Sequence, residues 1–242
     1  MSMRNHSRRQ FFLLTGGAAA LAIARLGAQG TTSRPMKIGI IGSGRQGGAV
    51  GLQWAKAGHE VLFSSRKPEE LKELVAKAGG KAKAGLPQDA AKFGDVVLIA
   101  VPYGALPQVG KDYSALMKGK IVIDCGNPRE DRDGPMAKDA IAKGTGVASA
   151  EYLPGVRLVR AFNALSFVQV EREAHRSGEK LGIPVAGDDK AAVDTVAQLV
   201  RDAGFDPVIV GPLSRAKEFD TGTAVYVKGM TAKQIRETLK LQ

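Results

Sequence analysis

Short β-branched runs alternate with longer stretches of mixed apolar and charged residues through most of the chain. Met36–Ile41 is the first such run and predicts a buried strand. Ala49–Ala57 predicts a helix stopped at Gly58, and Glu60–Phe63 a second strand. Pro68–Ala78 predicts a helix with proline in its first turn and the Gly79-Gly80 pair as its stop. The alternation continues with a strand at Val96–Val101, a helix after Pro107 and a strand at Lys120–Asp124. A helix at Met136–Ala142 and a strand at Leu158–Phe162 come next. "IPVAG", Asp188–Ala203 and "DPVIVG" form one more strand–helix–strand unit, and "MTAKQIRETLKLQ" a short amphipathic helix. Strands alternating with helices predict an α/β fold, with a mostly parallel sheet covered on both faces and right-handed crossovers.

The first strand runs into "GSGRQG", which matches G-x-G-x-x-G through Gly42, Gly44 and Gly47. Gly42 suits the tight turn, Gly44 removes the Cβ that would meet a pyrophosphate, and Gly47 lets the helix pack closely on the strand. With Ser43, Arg45 and Gln46 they form the expected pyrophosphate site at the positive end of the helix. A turn without a ligand can carry the same glycines. The strand before it, the helix after it and its place at the start of the folded region favour a dinucleotide. The expected fold is therefore a Rossmann-type, doubly wound sheet with a short C-terminal helical extension.

Roughly 20 residues further on, an NAD site places an Asp or Glu for the ribose. Here Ser64, Ser65, Arg66 and Lys67 stand there. Hydroxyls and a guanidinium fork suit a 2′-phosphate, so the expected cofactor is NADP(H). The alternative is an ordinary polar loop with a solvated Arg-Lys pair.

Carboxyl ends of parallel strands line the ligand crevice of such sheets. That adds Ala100, Val101, Pro102 and Asn127 to the cofactor side, and Tyr103, Asn163, Ala164 and Leu165 as acceptor-side candidates. The two asparagines offer amide contacts to a ligand, or cap helices and hold turns; for Asn127 both readings stand. Cys125 reads as a buried small hydrophobe and His59 as structural. No Tyr-x-x-x-Lys pair is found and no catalytic residue is assigned. A flavin or deazaflavin, which takes a hydride without a positioned acid, suits that absence.

Of the 242 residues 24% are charged, the net charge is +11 and Cys125 is the single cysteine. No intramolecular disulfide can form, and the scattered His6, His59 and His175 give no metal-ligand spacing. No stretch interleaves aromatic with basic residues, so nucleic acid is not an expected partner. Arg4, Arg8, Arg9 and Arg25 lie in the first 30 residues, which hold no acid. "SRRQFFLL" followed by an Ala/Gly/Leu-rich stretch reads as a twin-arginine export signal. Arg25 and the glycines interrupt the apolar run, which argues against a retained anchor. The expected organisation is a signal over 1–30, a linker over 31–35, an NADP-binding domain over 36–213 and an extension over 214–242. The expected location is the periplasm, or else the cytoplasm, with membrane contact only during export.

"KIGIIGSGRQGGAV", "GHEVLFSSR", "DVVLIAVPYGAL", "IVIDCGNP" and "EYLPGVRLVRAFNAL" resemble the NADPH-dependent coenzyme F-420 (deazaflavin) reductase family. They also resemble the related N-terminal oxidoreductase domain of the STEAP metalloreductases. The resemblance implies hydride transfer between NADPH and a flavin-like ring near the nicotinamide. It implies a pyrophosphate site at Ser43–Gln46 and a 2′-phosphate site at Ser64–Lys67. The tail "EFDTGTAVYVKGM" carries no clear motif for a second cofactor. The expected partners are a small-molecule or flavin-type acceptor and a second copy of the chain. The competing functions are a non-catalytic NADP-binding sensor or partner protein, and a reductase of a small imine or carbonyl.

Overall fold

The computed structural model describes residues 34–241. The chain opens with β1 (Lys37–Ile41), α1 (Arg45–Lys56), β2 (Glu60–Ser64), a 3-10 turn (Pro68–Leu71) and α2 (Lys72–Ala78). Next come β3 (Lys83–Gly85), α3 (Pro87–Phe93), β4 (Val96–Ile99), α4 (Leu106–Met117) and β5 (Ile121–Asp124). The third group is α5 (Glu130–Asp133), α6 (Pro135–Lys143), α7 (Thr145–Tyr152), β6 (Arg157–Arg160) and α8 (Phe167–Glu173). The last is β7 (Gly182–Gly187), α9 (Lys190–Asp202), β8 (Asp206–Gly211), a 3-10 segment (Leu213–Phe219) and α10 (Ala232–Thr238).

The strands form a single sheet in the order β3-β2-β1-β4-β5-β6-β7-β8. Every pairing is parallel except β6 with β7. This is the expected Rossmann-type sheet. Its order reverses between β1 and β4, which leaves a crevice beyond their carboxyl ends.

The apolar strands are buried on both faces, as a sheet covered by helices on each side requires. Ile38 and Ile40 of β1, Val96 and Leu98 of β4 and Ile121 and Ile123 of β5 share one core layer with Val50 and Trp54 of α1. Val97, Ile99 and Val122 point the other way, onto Ala90 of α3, Leu106 of α4 and Ala148 of α7. Each such side chain contributes about 1.5–3 kcal/mol by leaving water. Trp54 donates to the Leu199 carbonyl at 2.8 Å and meets the Phe162 ring edge-on at 5.5 Å. His59 is structural, as expected: its Nδ1 accepts from the Met36 amide at 3.1 Å and its Nε2 bonds Asp202 at 3.0 Å.

Several elements depart from their expected bounds. Helix α1 begins at Arg45 rather than Ala49, because the last half of the glycine motif is itself the first helical turn. Strands β4 and β6 end at Ile99 and Arg160, and the residues after them leave the sheet to form the crevice. Five elements were not expected: β3, α3, α5, α7 and α8. "KAG" has no apolar run, and "TGVASAEY" has no apolar stripe to give it a helical period. Helix α3 packs on β1 where a Cβ at Gly39 would lie 2.0 Å from the Ala90 carbonyl oxygen.

Beyond β8 the chain folds back on the sheet. Leu213, Ala216 and Phe219 are buried, and the Met230 carbonyl accepts from the Gly182 amide at 2.8 Å. The expected export signal lies outside the described residues. Among the described residues no helix is long and apolar enough to cross a membrane.

Candidate dinucleotide crevice

The turn after β1 is built around Gly42 at φ +92°, a conformation that a side chain disfavours. The next residue is committed to the fold. Ser43 donates its amide to the Ser64 carbonyl at 2.9 Å, and its Oγ accepts from the Ser64 amide at 2.8 Å. Ser64 is 0% exposed, and its hydroxyl donates to the Ile40 carbonyl at 2.6 Å. The Ser43 oxygen ties the turn to β2 and the Ser64 hydroxyl ties β2 to β1, which corrects one expectation. Ser64 does not face a 2′-phosphate, whereas Ser43 commits its amide to Ser64 but keeps its hydroxyl proton free to donate to a pyrophosphate. Ser65, Arg66 and Lys67 remain at the surface.

The opening amides of α1 are different. A helix leaves its first N–H groups without intrahelical partners, and no side chain caps α1 or places an acid in its first turn. A Cβ on Gly44 would have nothing within 4 Å, so open space stands in front of these amides. At Gly47 a Cβ would lie 2.3 Å from the Gly42 carbonyl oxygen, so here glycine is required for close packing. These features fit a pyrophosphate at Gly44–Gly47. Gln46 also clamps the walls together, donating its side-chain amide to the carbonyls of Phe162 (2.9 Å) and Leu165 (3.2 Å).

A cavity of about 510 Å³ opens beside this turn. Arg45 and Gln46 line one side, and Ala100, Val101 and Pro102 after β4 line another. Cys125, Gly126 and Asn127 after β5, and Asn163 and Leu165 after β6, complete the expected strand-end walls. Tyr103 is not among them. It is 1% exposed and its hydroxyl bonds Ser149 at 3.1 Å, so it packs below the crevice; burial raises its pKa. Ala164 is also absent: it packs in the core near Val208, and its carbonyl accepts from the Val227 amide. Both were expected on the acceptor side, but the chain turns them inward.

Asn127 donates to the Asn163 carbonyl at 3.0 Å, and Asn163 donates to the Phe219 carbonyl at 3.2 Å. The Asn163 Oδ1 is buried without a partner. The pair therefore holds the β5 and β6 loops together. Cys125 is buried, and burial with the neighbouring Asp124 pushes its thiol up to about 12, so it stays uncharged at neutral pH. Below the wall, Arg160 is 0% exposed and donates to the Asp124 carboxylate (2.8 Å), to Asp220 (3.1 Å) and to the Gly126 carbonyl (2.8 Å). Burial works to lower the Arg160 pKa, but the two carboxylates outweigh it and raise it.

Several lining residues had no sequence signal. Arg129 and Arg132 sit on the α5 turn, Phe167 opens α8, and Tyr226 and Val227 come from the tail. Arg45 lies over the Phe167 ring at 4.8 Å. Arg129 and Arg132 are ion-paired with Asp131 and Asp133, so Arg45 is the lining cation left to favour an anionic ligand. Among the described residues no group of His, Cys, Asp or Glu could hold a metal ion.

Residues 37–128 match the family model described as NADP oxidoreductase coenzyme F420-dependent. Metalloreductase STEAP3 of Rattus norvegicus is 27% identical over 191 residues, which cover 76% of this chain and 36% of that protein. The F420-dependent NADP reductase of Methanocaldococcus jannaschii is 38% identical over 103 residues, covering 38% of this chain and 46% of that one. The chain thus spans less than half the length of these two relatives. Among solved structures, a hypothetical protein SMa0349 from Sinorhizobium meliloti has a TM-score of 0.68 at 25% identity, covering 81% of this chain and 95% of that one. The expected similarity to both the F-420 reductases and the STEAP proteins is borne out.

Proposed function

We propose that this chain, similar to the coenzyme F420-dependent NADP oxidoreductases over residues 37–128, binds NADP(H) and moves a hydride between its nicotinamide and a flavin or deazaflavin ring. The observation that carries the reading is the uncapped N-terminus of α1 at the switch point of the sheet, with Arg66 and Lys67 exposed at the end of β2. The amides of Gly44–Gly47 would hold the pyrophosphate at the positive helix end. Ser65, Arg66 and Lys67 would hold a 2′-phosphate. Bound NADPH supplies the hydride.

The chain's own part is to orient and to exclude water. Ala100, Val101 and Pro102 give a small, largely apolar wall beside the ends of β4 and β5. Arg160 fixes the loop that carries Gly126 and Asn127. With Cys125 uncharged, no thiolate competes for a reactive ring. Export by the twin-arginine route belongs to the same proposal. That route carries folded proteins, so NADP(H) bound in the cytosol would travel with the chain, and the oxidised nicotinamide would be reduced again in place by hydride from a second substrate, a reduced flavin- or deazaflavin-type ring.

The test begins with titration by NADPH and NADH. It continues with stopped-flow oxidation of bound NADPH by riboflavin, 5-deazariboflavin and a small ketone. Tighter NADPH binding and transfer to a flavin-type ring are expected. Transfer to the ketone alone would replace this reading with that of a small-carbonyl reductase. Binding without transfer to any acceptor would leave an NADP-binding sensor.

A further inference from the structure

The walls assigned to the dinucleotide, α1 and the ends of β4 and β5, leave the side formed by α8 and the tail over 220–230. This tail strap is fixed at both ends. Asp220 accepts from the Thr145 amide and from Arg160, and Met230 accepts from the Gly182 amide. In the middle it is held through backbone atoms of Val227, whose amide donates to Ala164 at 2.8 Å and whose carbonyl accepts from Gln169 at 3.3 Å. Val227 has φ +49°, a conformation that a β-branched residue adopts only when its surroundings impose it. Strained backbone of this kind concentrates where a side chain must be aimed. The residue before it is Tyr226, which lines the crevice.

Three aromatic residues border this cavity: Phe162, Phe167 and Tyr226. Phe162 is 0% exposed and packs on Trp54. Phe167 carries the Arg45 guanidinium over its ring. Tyr226 is half-buried, and among the described residues its hydroxyl makes no hydrogen bond. It is the aromatic group left to meet a ligand. We propose that Tyr226 is the acceptor-side platform, stacking the planar heteroaromatic ring that exchanges hydride with the nicotinamide, and so selects such rings over small aliphatic carbonyls. The proposal rests on the oxidoreductase reading above. Offset stacking against an electron-poor ring follows from the aromatic quadrupole.

The experiment compares wild type with Tyr226→Phe, which keeps the ring, and Tyr226→Leu, which keeps apolar bulk without it. Riboflavin binding to NADP+-loaded protein is followed by flavin fluorescence, NADPH binding by titration, and NADPH oxidation by steady-state kinetics with riboflavin. Tyr226→Leu is expected to weaken riboflavin binding and lower kcat/KM about tenfold. Tyr226→Phe should stay within about twofold of wild type, and NADPH affinity should hold in both. Equal loss in both variants, no loss in either, or a parallel loss of NADPH affinity overturns the proposal. Ring-dependent binding without turnover would uphold the platform while removing the oxidoreductase reading. Turnover indifferent to Tyr226 would do the reverse. Absence of riboflavin binding to wild type overturns the platform outright.

Discussion

Replacing Arg66 by Ala together with Ser65 by Asp should turn cofactor preference from NADPH towards NADH. The pair is chosen from the structure. Ser64 is the more obvious site for a carboxylate by sequence, but it is 0% exposed and donates to the Ile40 carbonyl. An Asp there would set a buried charge against that oxygen and disrupt the turn. Ser65 is half-buried and Arg66 is exposed, so both can change without loss of fold. A charge-assisted hydrogen bond contributes about 1.5–3 kcal/mol. Solvent screening at an exposed position favours the low end, roughly tenfold in Kd. A carboxylate facing the 2′-phosphate adds about 1 kcal/mol of repulsion in a water-like dielectric, for a loss of roughly fiftyfold in all. Towards NADH the new carboxylate accepts from the ribose hydroxyl, a gain of about 1 kcal/mol. Lys67 stands 3.2 Å from Glu70, which already answers part of its charge, so Lys67→Ala should have the smaller effect. Fluorescence titration with both nucleotides measures the ratio. A double variant with the wild-type NADPH/NADH ratio would refute the 2′-phosphate role of this loop.

Gly44→Val should abolish NADPH binding with an unchanged circular dichroism spectrum, because its side chain enters open space in front of α1. Gly47→Ala should instead lower stability by about 1–3 kcal/mol, since its Cβ would overlap the Gly42 carbonyl; equal melting temperatures for the two variants would contradict that distinction. Arg160→Leu leaves Asp124 and Asp220 without their buried partner, and calorimetry should register a loss of about 3–5 kcal/mol. A Tm within a degree of wild type would show the triad to be dispensable. Asp189, hydrogen-bonded to Arg157 and capping α9 through the Ala192 amide, has its pKa lowered to about 2. A depressed carboxylate contributes stability above its unfolded value, near 3.8, that is lost as pH falls through about 2. Asp189→Asn should therefore flatten the acid limb of the stability profile in that window, and an unaltered limb in acid denaturation would exclude the contribution.

Much of the architecture was legible in sequence, because local rules govern it. The β-branched runs of β1, β4 and β5 are apolar on both faces, as strands of a covered parallel sheet must be. The glycine motif placed a turn and a helix start where the space in front of the helix is open. Cys125 and His59 were read correctly as buried and structural. Elements without periodic apolar residues, β3 and α7 among them, were not legible, because neighbours rather than propensity hold them.

At the site, sequence determined which loops meet, and tertiary packing decided which side chains face the ligand. A strand end delivers its loop to the crevice through topology alone. Which residue of that loop points inward depends on contacts from distant parts of the chain. The Ser64 hydroxyl is spent on the Ile40 carbonyl, and Tyr103 is drawn down to Ser149. Phe162 turns at φ +62° onto Trp54. The tail shows the same division. "EFDTGTAVYVKGM" has no motif, yet Arg160 holds Asp220 and the Ala164 carbonyl holds Val227, which carries Tyr226 to the rim. No local pattern encodes that placement, because the partners that impose it lie some 60 residues away along the chain and meet only in the folded sheet.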